Sequence, residues 1–161
     1  MDYERLQIFA KDHWIWQVHD NQCYLGRMIF VLDRPCKGDL SDLSLEELLS
    51  LMENIKLYKA FLSTLFSPDK WNFCQLGNEW PQLHIHVVPR YKSPRIWQNK
   101  LFIDKNWGKN YAPKWKSPLN NEEIYTFSDW LKLKLEYFIS QSFLEEEDKT
   151  DNMTKKISWR I

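Results

Sequence analysis

Residues 82–87, Gln-Leu-His-Ile-His-Val, alternate polar and apolar without a break, and Pro89-Arg90 follow closely. Strict period two is the mark of a β-strand, whose successive side chains point to opposite faces. Read as a strand over 82–88, the segment puts Leu83, Ile85 and Val87 on one face. Gln82, His84 and His86 occupy the other. The first face requires a core. The second carries two of the chain's four histidines, with side chains spaced ~7 Å apart.

The rest of the chain supplies the elements that such a strand needs. Residues 3–11 read as weakly helical. Segments 13–19 (HWIWQVH) and 24–32 (YLGRMIFVL) are rich in β-branched and aromatic residues, and DNQC between them has turn chemistry, which predicts an antiparallel hairpin. Ser44, with Glu47 three residues on, forms a capping box that opens a helix over 44–66. Residues 71–77 read as a third strand, Gly77-Asn78 as a turn, and 82–88 as the fourth strand. From Lys92 to Asn121 the chain reads as irregular, and a second long helix covers 121–147. The expected architecture is α+β, an antiparallel sheet of about five strands with two main helices. One domain spans 1–147, and the charged tail 148–161 is expected to fray.

Composition narrows the function classes. Of 161 residues, 43% are hydrophobic and 16% aromatic, which suits a packed domain and not a disordered chain. Lys+Arg and Asp+Glu both total 22, so no global basic field draws the chain to nucleic acid or an anionic membrane. Three cysteines without CxxC spacing give no disulfide framework and suit a reducing cytoplasm. The N-terminus lacks a signal-peptide pattern, and no apolar run approaches the ~18 residues of a membrane span. The expectation is a cytoplasmic protein. Its four glycines fall in neither GxxxxGK[ST] nor GxGxxG, which excludes a P-loop or Rossmann phosphate loop.

Two histidines on one strand face admit three readings. They are polar residues of a half-exposed strand, or a pair of metal ligands completed by His13 or His19. Alternatively, one is a nucleophile and the other a donor to developing negative charge. Other residues are equally open. Arg90 suits either a phosphate or a structural ion pair, and Arg27 either a phosphate or loop support. Lys109 and Asn110, in the loop 107–113, reach a ligand or plug a sheet edge. Lys92 and Arg95 read as solvated, and Cys74 and most tryptophans as packing.

The neighbouring residues favour the third reading. Gln82-Leu-His84-Ile-His86-Val87-Val88-Pro-Arg resembles the signature of the histidine-triad (HIT) family of nucleotide hydrolases and transferases. YLGR followed by MIFVL resembles the family's Gly-His segment and strand. LGN before PQLHIHVVPRY, with NQCYLGR and FIDKNWGKNYAP, resembles a bacterial subgroup with Gln in the first triad position. The likeness runs from about Trp14 to Pro113.

This resemblance implies His84 as nucleophile at the α-phosphorus of a nucleoside phosphate derivative, a dinucleoside polyphosphate or a nucleoside phosphoramidate. It implies His86 as a contact to phosphate or leaving group, and Gln82 as a non-titrating positioning residue. His19 and Asp20 fall at the ribose-contacting position, while Arg27 stands where the family has His. Asn78 is offered as a phosphate-facing donor in place of the family's Gly-Gln. The resemblance also implies a homodimer, no metal site and no cofactor, with Mg²⁺ admitted only as companion of a polyphosphate substrate. The departures at Gln82 and Arg27 motivate a second reading, a nucleotide-binding or regulatory member with impaired catalysis. A His-ligated metal enzyme is a third.

Overall fold

The capping box at Ser44 organises the larger part of the core. In the computed structural model, which describes residues 1–112 and 115–158, helix α1 spans Leu45–Phe66. Ser44 Oγ accepts from the Glu47 N–H at 3.2 Å, and the Glu47 carboxylate accepts from the Ser44 N–H at 2.8 Å. The Arg34 guanidinium donates to the same carboxylate and, with the Ser44 N–H, holds its pKa down to about 2. Seen from α1, the strand β2 (Trp14–Val18) supplies two indoles. The Trp14 N–H donates to the Glu47 carbonyl at 3.0 Å, and the Trp16 N–H to Asn54 Oδ1 at 2.7 Å. Both tryptophans are buried with Tyr58, Phe61 and Leu62.

The main sheet is wholly antiparallel. Its other strands are β1 (Gln7–Lys11), β3 (Met28–Leu32), β4 (Lys70–Cys74) and β5 (His84–Arg90), in the order β1-β2-β3-β5-β4. A separate hairpin joins β6 (Arg95–Trp97) to β7 (Lys100–Phe102). Helix α2 runs Asn121–Ser158. Its Ile124, Phe127, Leu131 and Leu135 close the same core, and the Phe127 ring meets Trp97 edge-on. The α+β architecture expected above, five antiparallel strands with two main helices, is the one observed.

Local boundaries depart from expectation for identifiable reasons. Residues 7–11 are a strand and not a helix, because they pair with β2 across a tight turn at Asp12-His13, both at positive φ. Such pairing overrides a weak local preference. The hairpin expected over 13–32 is present, but its strands stop at Val18 and resume at Met28, leaving a loop over 19–27. The fourth strand of the sequence reading includes Pro89 instead of stopping before it. Pro89 lies opposite Trp71 on β4, beyond the last β3 partner of β5 at Val87. A residue without an N–H is tolerated where one side of the strand is unpaired. The stretch 92–121 holds the β6–β7 hairpin, turned by Gln98-Asn99 at positive φ. Helix α2 also takes in most of the tail expected to fray. Pro113 and the last three residues of that tail lie outside the described residues.

Asn54 is fully buried and is the acceptor for the Trp16 indole. Replacing it with Ala leaves that N–H unpaired in the core and is expected to cost about 1–3 kcal/mol. Urea unfolding measures this, and an unchanged midpoint contradicts the assignment.

Candidate active site

One face of the sheet packs on the helices, and the other forms a cleft. Trp14, Trp16, Met28, Phe30, Ile85 and Val87 point into the core. The alternate residues Ile15, Gln17, Ile29, Val31, His84 and His86 line a cleft of ≈ 840 Å³, within the about 300–1,000 Å³ typical of ligand pockets. Register makes two rows across it. Ile15, Val31 and His84 lie abreast, and so do Gln17, Ile29 and His86. The two imidazoles therefore stand at one end of an aliphatic floor.

The orientation of His84 is set by its own strand. Its Nδ1 lies 2.7 Å from the carbonyl oxygen of Gln82. A carbonyl can only accept, so Nδ1 carries a proton, and in the neutral ring the lone pair is on Nε2. The His84 ring lies 5.0 Å from that of His86 and 5.1 Å from that of Trp80, centroid to centroid. The ring thus has one nitrogen anchored on its own strand.

His86 is held uncharged. Burial, followed by the nearby Arg27 guanidinium, pushes its pKa down to about 3, and its Nδ1 is buried without a hydrogen-bond partner. The His19 ring lies 5.6 Å from His86, and burial is also the main cause of its lowered pKa. The Asp20 carboxylate approaches His19 Nδ1 at 2.8 Å. That contact, with the Asn21 N–H, draws the Asp20 carboxyl below its ordinary range. Arg27 is 6% exposed, lines the cleft, and has its Nε buried without a partner. A buried cation left unpaired is costly unless an anion joins it.

A residue without a signal in the sequence holds this group together. The Gln22 side chain donates to the carbonyls of His19 and Arg27, each at 2.7 Å, and accepts from the Gly26 N–H at 2.9 Å. It is fully buried and joins both ends of the loop over 19–27. Gly26 has φ +83°, and a Cβ there would meet Leu62 of α1 at 2.8 Å. The loop thus lies tight on α1 just before Arg27 enters the cleft.

The remaining candidates divide. Asn78 lies in the exposed loop between β4 and β5 and lines the cleft beside Gly77 and Trp80. Gln82 does not share the cleft face with the histidines, which corrects the row expected of it. It precedes β5, and its amide donates to the carbonyls of Leu32 and Arg34 and accepts from the Cys36 N–H. Its contribution to the cleft is its own carbonyl. Arg90 follows the structural alternative: it ion-pairs with buried Asp104 at 2.7 Å and bonds Asn72. His13 lies at the β1–β2 turn facing Glu46. Among the described residues, no group of three or more His, Cys, Asp or Glu side chains is placed to hold a metal ion. No described helix is long and apolar enough to cross a membrane.

The HIT domain family profile matches residues 6–93, more than half of the chain. The chain belongs to the HIT domain family. Solved HIT structures share its fold. A histidine triad protein from Sinorhizobium meliloti 1021 is 23% identical with a TM-score of 0.62, covering 80% of this chain and 88% of its own. One from Marinobacter aquaeolei VT8 is 23% identical with a TM-score of 0.58, covering 85% and 96%. A Plasmodium falciparum diadenosine triphosphate hydrolase is 14% identical with a TM-score of 0.56, covering 84% and 78%. No curated protein sequence matches. The matched HIT segment contains His84, His86, Gln82, His19, Asp20, Arg27 and Asn78.

The neutral histidines of this HIT domain have a consequence for stability. Folded His86 and His19 titrate below the ~6.5 of an unfolded histidine. The unfolded chain therefore binds protons first as pH falls. Their stabilising contribution is complete above that value and is lost on acidification toward the folded pKa values. Unfolding free energy is expected to fall as pH drops from about 6.5 toward about 3, and His86→Gln to flatten part of that slope. Denaturant titrations across this range measure it, and an unaltered slope in the variant contradicts the assignment.

Proposed function

We propose that the protein is a nucleotide hydrolase or transferase working at the α-phosphate of a nucleoside phosphate derivative, a dinucleoside polyphosphate or a nucleoside phosphoramidate. The observation that carries this reading is the Nδ1 contact of His84 with the Gln82 carbonyl, which leaves Nε2 with a lone pair beside the cleft. In the first step Nε2 attacks the α-phosphorus, and the bond to the leaving group breaks with its electron pair. A nucleotidyl-histidine remains. In the second step water or another acceptor attacks phosphorus, loses a proton, and returns the electron pair of the P–N bond to Nε2.

The other groups fit this sequence. Arg27 supplies a fixed positive charge for the phosphate oxygens, and neutral His86 supplies a hydrogen-bond contact there. Asn78 offers an amide from the loop above. His19 and Asp20 stand at the position for the ribose. The chemistry requires no bound cofactor, and Mg²⁺ enters only with a polyphosphate chain. A homodimer is part of the proposal: β4 is an edge strand and presents exposed Phe73, a surface open to pairing with a second copy.

One observation favours the second reading, a nucleotide-binding HIT protein with impaired catalysis. Gln82 directs its side chain away from the cleft and cannot titrate, and His86 is uncharged near neutrality. Mass spectrometry after brief incubation with adenosine polyphosphates and phosphoramidates separates the two readings. The enzyme reading expects a nucleotidyl adduct on His84, and His84→Ala is expected to lose turnover by on the order of 10³-fold or more with the fold intact. Full activity in His84→Ala defeats the assignment, and binding without any adduct establishes the second reading.

A further inference from the structure

The cleft continues well past the residues that the phosphate chemistry uses. Along the row that starts at His86, Ile29 follows on β3, Gln17 on β2 and Gln7 on β1. Adjacent strands lie ~4.8 Å apart, so Gln17 stands roughly 10 Å across the sheet from His86 and Gln7 one strand beyond. Between them the floor is aliphatic, made by Ile15, Ile29 and Val31. Polarity therefore changes in order along the cleft. A buried cation and three imidazoles lie toward one end, an apolar floor in the middle, and the amides of Gln17 and Gln7 at the far end of the row, with Glu4 and Asp20 also in the lining.

Gln17 is the unusual member. It is only 6% exposed and lines the cleft. Its neighbour Gln22 uses its amide fully within the fold, whereas the Gln17 amide forms no hydrogen bond among the described residues and is not sealed from the cleft. A carboxamide left this way keeps its donor and acceptor free for a ligand that enters the cleft. An amide presents a donor and an acceptor side by side. Its complement is a flat group with an acceptor beside a donor, and an adenine amine with its adjacent ring nitrogen is the bidentate fit.

We infer that Gln17, with Gln7 beside it, reads the edge of the nucleobase and selects a base that carries an amine next to a ring nitrogen. This rests on the nucleotide reading and deepens it. With the α-phosphorus at His84 and the base on the aliphatic floor, the edge remote from the phosphate arrives at the amides. Because Gln17 touches the base and not the reacting atoms, it acts on selectivity and leaves the chemistry at phosphorus to His84.

The test compares two substrates with the same good leaving group, the 4-nitrophenyl esters of AMP and of the 5′-monophosphate of purine riboside, which lacks the amine. The wild-type protein is expected to favour the AMP ester in kcat/KM by on the order of 10–100-fold. In Gln17→Met, a variant of similar length without polar donors, that ratio is expected to fall to near one. A ratio near one in the wild type overturns the inference without any variant. So does a large ratio that Gln17→Met leaves unchanged. In both cases a nucleotidyl adduct on His84 still upholds the proposed reaction. Absence of adduct and turnover with both esters overturns the proposed reaction and this inference together.

Discussion

A single contact gives the cleft its chemical direction: the Gln82 carbonyl on His84 Nδ1. An imidazole with both nitrogens free exchanges tautomers, and its lone pair has no fixed place. Tied to an acceptor two residues back, the ring keeps its proton on one side and its lone pair on the other. The carbonyl is itself held, because the Gln82 amide is bonded to the end of β3 and the turn that follows it. The neighbouring Leu83 exchanges backbone bonds with Leu32 and Cys36. The anchor is thus an extension of the sheet ladder, and its position follows from the fold.

Charge is distributed in a complementary way. The other two imidazoles of the cleft, His86 and His19, are kept neutral mainly by burial. The lasting positive charge is Arg27, brought into the cleft by a loop that Gln22 staples and Gly26 packs against α1. A guanidinium does not titrate near neutrality, so the attraction of the cleft for an anion does not depend on protonating a histidine.

Much of the fold was legible because it rests on local periodicity. The capping box at Ser44 and the alternation through His84 and His86 each state one element, and both are present. What escaped is non-local. Residues 7–11 become a strand only through pairing with β2, and Pro89 stays in β5 only because β3 has ended opposite it. In the cleft, alternation placed His84 and His86 correctly, but Gln82 precedes the strand and departs from its face. Gln22 and Gln17 gave no sequence signal, since a glutamine that staples a loop and one that faces a ligand look alike until their partners are known. The resemblance to the HIT family drew attention to His19, Asp20, Arg27 and Asn78, and the structure brings all four to the cleft.

The reading of the cleft depends on where the His84 proton resides in the resting protein. Nitrogen-15 NMR of histidine-labelled protein near neutral pH reads this from the two ring nitrogens of each imidazole, with His84 assigned by comparison with His84→Ala. The expected result is a protonated Nδ1 and an unprotonated Nε2 at His84. A His84 resonance pair with the proton on Nε2 would contradict it, because the nitrogen facing the cleft would then have no lone pair to offer phosphorus.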